Sequence, residues 1–516
     1  MSMALKIEPN HLIDYLHTIV KSSAKVSVDS RQIQAGDIFF AYPVGHGKAL
    51  RDGRPFIEAA LESGAAAVVF DPADSGIQYI DHPQCIAIDH LAAIAGDLCA
   101  KWYDYPSSQL KIVGVTGTNG KTSITQWLAQ ALDEPNHRTA VLGTLGTGFP
   151  GALVQMGYTT PDAPKLQTQL KELLEAGAKQ VAMEVSSHAL DQDRVAGTQF
   201  NCAVFTNLTQ DHLDYHGTMA DYAQAKAKLF QQVGLEHAVI NVDDAFGREL
   251  AAKLLAKGDI QVWAYTLRAE ALKGFEKFGD RLQCVYAKDS VLNGLGYDSL
   301  FTHEGVGANT LHIPLLGDFN LSNALAVWTV LLTQGYTCDE ASKRVSQLRP
   351  VIGRMELIQV GKHQKSDDVL TIVDYAHTPD ALEKTLQALR PIAEKRGGKI
   401  WCVFGCGGDR DVGKRPQMGA VAQKFADKII ITSDNPRSED PQVIIQMIRS
   451  GIDPEAANVQ TIVDRAAAIM AAVRNASGCD IVLVAGKGHE TSQEIKGKKF
   501  DFSDQEHILL AAGGMA

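Results

Sequence analysis

A glycine-rich turn at residues 116–123, TGTNGKTS, gathers the residue types that hold phosphate. Gly117 and Gly120 let backbone N–H groups come close to an anion, Lys121 adds a mobile cation, and Thr122 offers a hydroxyl suited to Mg²⁺. The apolar run LKIVGV (110–115) precedes the turn, and Ile124, Trp127, Leu128 and Ala131 follow at helical spacing. A strand feeding a glycine turn that opens a helix is the physical recipe for a phosphate loop. The chain is therefore expected to bind a nucleoside triphosphate through Gly117, Thr118, Asn119, Gly120, Lys121, Thr122 and Ser123. The general pattern G-x-x-x-x-G-K-[ST] would put glycine at 115, where this chain has Val115.

Other chemistry-bearing residues recur where short apolar strands end. VAMEVSSH (181–188), AVFTNLTQDH (203–212) and AVINVDD (238–244) share this design. Ligands of open parallel sheets sit beyond the carboxyl ends of the strands. Glu184, Ser186, His188, Asn207, Asp211 and His212 are thus candidates to surround the nucleotide. Phosphoryl transfer needs positioning and charge neutralisation more than covalent chemistry. Thr122 and Glu184 suit one Mg²⁺ and His212 a second. Lys226, within DYAQAKAKLF (221–230), reads from its residue type alone as an ordinary surface lysine on a helix.

Toward the C-terminus, Arg410, Arg415 and Arg437 cluster at tight turns. A guanidinium fork reads a carboxylate through two parallel hydrogen bonds. Asp434-Asn435-Pro436-Arg437 sets an acid, an amide and a guanidinium on one turn, suited either to a zwitterionic ligand or to a structural Asx turn. GCGGDR (405–410) reads only weakly as a dinucleotide loop, because Arg410 replaces the last glycine of G-x-G-x-x-G.

The elements that must position these residues fall into three segments, as 516 residues suggest. Residues 1–108 read as a small α/β unit that ends at the Tyr105-Pro106-Ser107-Ser108 break. Residues 109–349 carry the phosphate loop, with 265–316 richer in alternating and turn-like sequence. GDFNLSNALAVWTVLL (317–332) reads as an asparagine-rich loop opening a helix. Residues 350–516 contain four strand-then-polar units, at 369–380, 399–411, 427–440 and 480–490, with helices between them. That alternation predicts a doubly wound parallel sheet.

Forty-nine basic against sixty acidic residues give a net charge of −11, which disfavours a generic nucleic-acid surface. No apolar run approaches the ~18 residues of a membrane span and no basic, apolar leader is seen. Membrane insertion and export are not expected. The eight scattered cysteines form no C-x-x-C pair, so reduced thiols are expected.

Taken together, TGTNGKTS, EVSSHAL (184–190), TNLTQDHLDYHG (206–217), GDFNLSNALA (317–326), GRME (353–356), DYAHTPDAL (374–382), GCGGDRD and GKGHE (486–490) resemble the Mur ligase family of ATP-dependent amide ligases. The resemblance covers nearly the whole chain. It implies an α/β, three-domain architecture, with a UDP-sugar-binding first domain, a central P-loop sheet and a Rossmann-like C-terminal domain. It also implies a monomeric, cytoplasmic enzyme. DNPR followed by Ser438-Glu439 resembles the members that add meso-diaminopimelate to UDP-N-acetylmuramoyl-L-alanyl-D-glutamate, via an acyl phosphate. Alternatives are L-lysine as the added amino acid, or another Mur or folylpolyglutamate-type ligase.

Residue by residue, the resemblance implies two Mg²⁺ ions held by Thr122, Glu184, His212 and Lys226, with Lys226 carbamylated to N6-carboxylysine. Lys121, Glu184, His212 and Lys226 would be catalytic. ATP would also meet Asn320, Arg354, Asp374 and His377. The UDP-muramoyl dipeptide would meet Ser30, the stretch 44–46 with His46, Thr159, Thr160, Ser186, Gln192, Arg194 and Lys226. Diaminopimelate would meet Arg410, Asp434, Asn435, Pro436, Arg437, Gly486 and Glu490. Pro161 and Asp162 depart from a shared pattern, and the first domain matches the family loosely.

Overall fold

The computed structural model describes residues 5–44, 50–73, 82–359 and 368–513. By packing, the chain forms two compact units. One comprises Met1–Gly117, Leu128–Val204 and Gln224–Ala238; the other comprises Thr118–Trp127, Phe205–Ala223 and Val239–Ala516.

The N-terminal strands are β1 (Leu5–Lys6), β2 (Val26–Ser27), β3 (Ile38–Ala41), β4 (Pro43–Val44), β5 (Arg51–Asp52), β6 (Ala67–Phe70) and β7 (Cys85–Ala87). β4 and β5 pair with each other, and the rest form a parallel sheet of order β1-β7-β6-β3-β2. Successive strand residues point to opposite faces. Phe40, Val69 and Ile86 pack with Leu12, Leu16, Leu91 and Leu98 of the helices Pro9–Ile19 and Leu91–Trp102. Phe39, Val68 and Cys85 pack with Ile57 and Ala60 of the helix Ile57–Glu62. Burial on both faces explains the continuous apolar runs IFFA and AVVF.

The central strands are β8 (Lys111–Thr116), β9 (Arg138–Gly143), β10 (Gly146–Gly148), β11 (Ala178–Glu184), β12 (Cys202–Phe205), β13 (His237–Asn241), β14 (Gln261–Thr266), β15 (Leu282–Asn293), β16 (Gly296–His303) and β17 (Gly307–Ile313). Their sheet has the order β10-β9-β11-β8-β12-β13-β14-β15-β16-β17. β11 is parallel to both β8 and β9, and β14 to β15. The segment that was hard to read, 265–316, becomes an antiparallel meander, β15-β16-β17. β16 and β17 alternate between more and less exposed residues, whereas β15 does so only in part.

The C-terminal strands are β18 (Glu356–Ile358), β19 (Leu370–Asp374), β20 (Ile400–Phe404), β21 (Lys428–Ile431), β22 (Val459–Thr461) and β23 (Ile481–Ala485), followed by the hairpin β24 (Ser492–Ile495) and β25 (Lys498–Asp501). The sheet order is β18-β19-β23-β20-β21-β22, parallel except at the β18 edge. Ile372, Cys402, Ile431 and Leu483 pack on Leu386, Met418 and Ile448 from three helices on one face. Val373, Val403, Ile430 and Val484 pack on Ala468, Ile469 and Ile508 on the other. This is the doubly wound sheet expected from the alternating pattern. All four strand-then-polar units therefore end along neighbouring strands, β19, β23, β20 and β21.

Among the described residues no helix is long and apolar enough to cross a membrane. All eight cysteines are free, and burial pushes the Cys402 and Cys406 thiols up to about 12.

Candidate active site

The phosphate loop leaves β8, and its geometry needs glycine at three places. Gly117 and Gly120 have φ of +148° and +91°, and a Cβ on Gly120 would sit 2.6 Å from Asn323 Oδ1. Within β8, a Cβ on Gly114 would lie 2.8 Å from the Phe200 ring, so this glycine serves packing. The helix Lys121–Leu132 opens directly from the loop, with Thr122 and Ser123 buried in its first turn. Lys121 Nζ donates to Thr118 O at 2.9 Å. Thr118 N donates to Asn207 O and Asn119 N to Asn207 Oδ1, so the strand-end residue Asn207 holds the loop. From the C-terminal part of the same unit, Arg354 donates to Thr122 Oγ1 at 3.1 Å and Asp380 accepts from Asn119 at 3.4 Å.

In the first unit a connected polar network surrounds Glu184, which ends β11 and is 1% exposed. Its carboxylate accepts from Thr144 N at 2.8 Å and from Thr144 Oγ1 at 3.2 Å. Thr144 Oγ1 lies 3.0 Å from Thr159 Oγ1. Thr160 Oγ1 donates to Glu184 O and accepts from Ser186 N, while Arg194 donates to Thr160 O and, through two nitrogens, to Gln192 Oε1. The structure thus brings Thr159, Thr160, Ser186, Gln192 and Arg194 together. Asp162, which departs from the family strings, is a half-buried N-cap for the helix Ala163–Glu175 and accepts from Lys165 N; desolvation raises its pKa. Ser30 begins a 3₁₀ turn capped by Asp29, whereas His46 falls outside the described residues.

Lys226 is not a surface residue. It is 1% exposed, and its ammonium donates to Gly117 O at 2.8 Å. In the second unit His212 is exposed, has φ +54° and lies 3.4 Å from Asp211. Burial raises the Asp211 pKa, but the charges of His212, His377 and Lys414 outweigh it and leave the carboxyl below its usual range. Lys414 Nζ donates to His377 O at 2.9 Å, and burial together with this cation lowers the imidazole pKa.

Asp374 is saturated by the chain itself: it accepts from Met355 N, Ala376 N and Thr385 Oγ1, and burial raises its pKa. Asn320 donates to Leu316 O from inside the helix Asp318–Thr333; the asparagines read as a loop lie in that helix's first turns. A cavity of about 240 Å³ is lined by Leu295, Pro314, Leu315, Met355 and Leu357 with Asn320 and Arg354 at its polar side. Arg354 also stacks over the Tyr375 ring, 4.3 Å from its centroid.

His489, 5.2 Å from that ring, has its pKa lowered from 6.5 to about 3 by burial and by the charges of Arg354 and Lys487. The unfolded chain binds the proton more readily, so this contribution to stability is present above pH 6.5 and is lost as pH falls toward 3. His489→Gln is expected to flatten the acid limb of a Tm–pH profile, and an unchanged limb would refute this assignment.

At the ends of β21 and β23, Asp434, Asn435, Gly486 and Glu490 form one cluster. Asn435 donates to Glu490 at 2.8 Å and accepts from Lys487 and Glu494 N; the buried Lys487 also donates to Glu490. Gly486 has φ +114°, and a Cβ there would lie 2.6 Å from Asp434 Oδ2. Arg437, after Pro436, has φ +50°; it donates to Gly408 O at 2.8 Å and lies 3.5 Å from Glu494. Arg410 is exposed on the facing loop. Arg415 does not join them: it is fully buried and forks onto Glu439 at 2.7 and 2.8 Å.

Several residues had no sequence signature. Thr144, Asn323, Tyr375, Lys414 and Lys487 matter here through tertiary placement, although Asn323, Tyr375 and Lys487 stand inside strings already singled out.

Residues 115–331 match the Mur ligase middle domain and residues 353–488 the Mur ligase glutamate ligase domain. A UDP-N-acetylmuramoyl-L-alanyl-D-glutamate–2,6-diaminopimelate ligase of Ralstonia nicotianae is 49% identical over 99% of this chain and 96% of its own. One from Pseudomonas aeruginosa is 46% identical, covering 94% of each chain. A solved structure of a ligase with that name has a TM-score of 0.63 at 35% identity, over 95% of this chain and 94% of its own. The Thermotoga maritima MurF ligase, solved with ADP, has a TM-score of 0.61 at 18% identity over 95% of this chain and 97% of its own, and shares the fold. With these matches spanning its length, and with the three-domain architecture they share, the chain belongs to the Mur ligase family.

Proposed function

We propose that the chain is an ATP-dependent carbon–nitrogen ligase that adds meso-2,6-diaminopimelate to UDP-N-acetylmuramoyl-L-alanyl-D-glutamate in peptidoglycan precursor synthesis. The observation that carries the reading is the joint presence of a phosphate loop and the Asp434–Arg437 cluster in a chain 49% identical, almost end to end, to a ligase of that name. We assign domains to residues 1–108, 109–349 and 350–516, and regard the enzyme as a cytoplasmic monomer.

In this reading the D-glutamyl carboxylate attacks the γ-phosphorus of ATP, the bond to the β,γ-bridging oxygen breaks, and ADP leaves. The carboxylate has become an acyl phosphate, whose carbonyl carbon now has a leaving group. A deprotonated amine of diaminopimelate adds to that carbon, and the tetrahedral intermediate collapses to an amide and inorganic phosphate. The loop amides, Lys121 and Arg354 neutralise the phosphates. The cavity beside Asn320 and Arg354 is of a size and polarity to take adenine. His377 and Asp374 shape the nucleotide's surroundings through the segment 375–378. Thr159, Thr160, Ser186, Gln192 and Arg194, with Ser30 and His46, hold the UDP-muramoyl dipeptide. Arg410, Asp434, Asn435, Pro436, Arg437, Gly486 and Glu490 hold the amino acid.

Magnesium rests on one or two carboxylates plus substrate phosphates; Thr122 of the phosphate loop would hold it, and when bound it supplies positive charge against the phosphates. Lys226 as an ammonium already donates to Gly117 O and does not suit a metal. Carbamylation by CO₂, with loss of two protons, would make it an anionic oxygen donor; its burial supports that reading over a surface role.

The test measures ADP release with the UDP-muramoyl dipeptide and either meso-diaminopimelate or L-lysine. Release dependent on diaminopimelate is expected. Equal rates with both amino acids would sink the specificity, and release independent of either would sink the ligase reading.

A further inference from the structure

Four residues without a ligand role in the proposed reading, Asp409, Arg415, Ser438 and Glu439, join two loops that carry residues with one. The loops after β20 and β21 each carry an exposed or half-buried arginine, Arg410 and Arg437, and each holds a non-glycine residue in the left-handed region: Asp409 at φ +54° and Arg437 itself at φ +50°. Such backbone persists only where surrounding contacts over-determine it. Here those contacts combine hairpin hydrogen bonds to the Arg437 backbone with cross-links between the loops. Arg415, fully buried, forks onto Glu439, and Glu439 Oε1 also accepts from Asp409 N. The Asp409 carboxylate in turn accepts from Ser438 Oγ at 2.6 Å and Ser438 N at 3.2 Å. Gly408 N donates to Asn435 O, and Gly408 O accepts from Arg437. The approach leaves no room for side chains: a Cβ on Gly408 would lie 2.0 Å from Pro436 O.

We infer that Arg415, Glu439 and the Asp409–Ser438 pair form a clasp whose task is to fix the spacing and aim of Arg410 and Arg437. They are positioning residues for recognition of the amino acid's second carboxylate. The inference rests on the assignment of Arg437 to diaminopimelate. A bidentate guanidinium–carboxylate contact is sensitive to sub-ångström error. The buried Arg415 is the anchor: it forms its ion pair with Glu439 and also donates to Gly407 O.

The test compares Glu439→Gln, Ser438→Ala, Arg437→Ala and the Glu439→Gln/Arg437→Ala double variant with the parent enzyme. KM for meso-diaminopimelate, KM for ATP, kcat and Tm are measured for each. Glu439→Gln is expected to raise the diaminopimelate KM roughly tenfold while the ATP KM and kcat hold. Ser438→Ala should move the same constant by less, and Glu439→Asp should recover part of the loss. In the double variant Glu439→Gln should add little to Arg437→Ala, because the aim of an absent guanidinium cannot matter. An unchanged diaminopimelate KM in Glu439→Gln, beside a raised one in Arg437→Ala, overturns the clasp alone. Loss of kcat and both KM values together, with a lowered Tm, also overturns it in favour of a general structural role. An unchanged diaminopimelate KM in Arg437→Ala overturns the ligand assignment and the clasp with it.

Discussion

Arg437→Ala is expected to raise the KM for meso-diaminopimelate by about 10–150-fold and leave the KM for ATP nearly unchanged. The range follows from about 1.5–3 kcal/mol for hydrogen bonds to a charged group, at about 1.4 kcal/mol per tenfold. Arg437 is suited to such a contact because little of its fork is committed: one nitrogen donates to Gly408 O, and Nε lies 3.5 Å from Glu494. Its left-handed backbone is stitched to the hairpin, Arg437 N donating to Glu494 O and Lys496 N to Arg437 O. Alanine at this position therefore removes the guanidinium while leaving those backbone contacts available. Lysine should rescue poorly, since a point charge cannot copy the fork. Equal increases in both KM values would show that the residue supports the fold and not the amino acid.

Lys121→Ala should lower kcat by about 10²–10³-fold, the usual loss for a preorganised group aimed at developing charge. Lys121 starts the helix Lys121–Leu132 and already reaches back to Thr118 O, so it spans the loop it would serve. Alanine is a good helix former, and the helix should persist. Single-turnover measurement of ADP formation isolates the phosphoryl step. A normal single-turnover rate with slow steady-state turnover would move the role of Lys121 to product release.

The phosphate loop was legible because its meaning is local: glycine, lysine and threonine at fixed spacing between a strand and a helix. The doubly wound C-terminal sheet was legible for a similar reason, since burial on two faces leaves continuous apolar runs such as IVLVA. Lys226 shows where local reading stops. Nothing in AQAKAKLF distinguishes it from Lys228, yet Lys226 is buried against Gly117 O and Lys228 is not. Arg415 shows the same limit in the other direction. Its residue type and its turn suggested a ligand contact, but its partner is Glu439, twenty-four residues on. The asparagines at 320 and 323 were read as a loop because Asn favours turns, and tertiary burial of the helix Asp318–Thr333 overrode that preference. Thr144 had no sequence signal, because its importance lies in facing Glu184 across the ends of neighbouring strands.

The position of β23 has a consequence for how the protein is made. It lies between β19 and β20, although it leaves the ribosome after every other strand of that sheet. Until residues 481–485 emerge, the facing edges of β19 and β20 lack the neighbour to which both are paired in the finished sheet. Unpaired strand edges recruit other chains, so the nascent C-terminal domain passes through an aggregation-prone stage that ends only when β23 emerges. A message truncated shortly before codon 481 would yield a polypeptide with an intact phosphate loop that cannot close its own sheet.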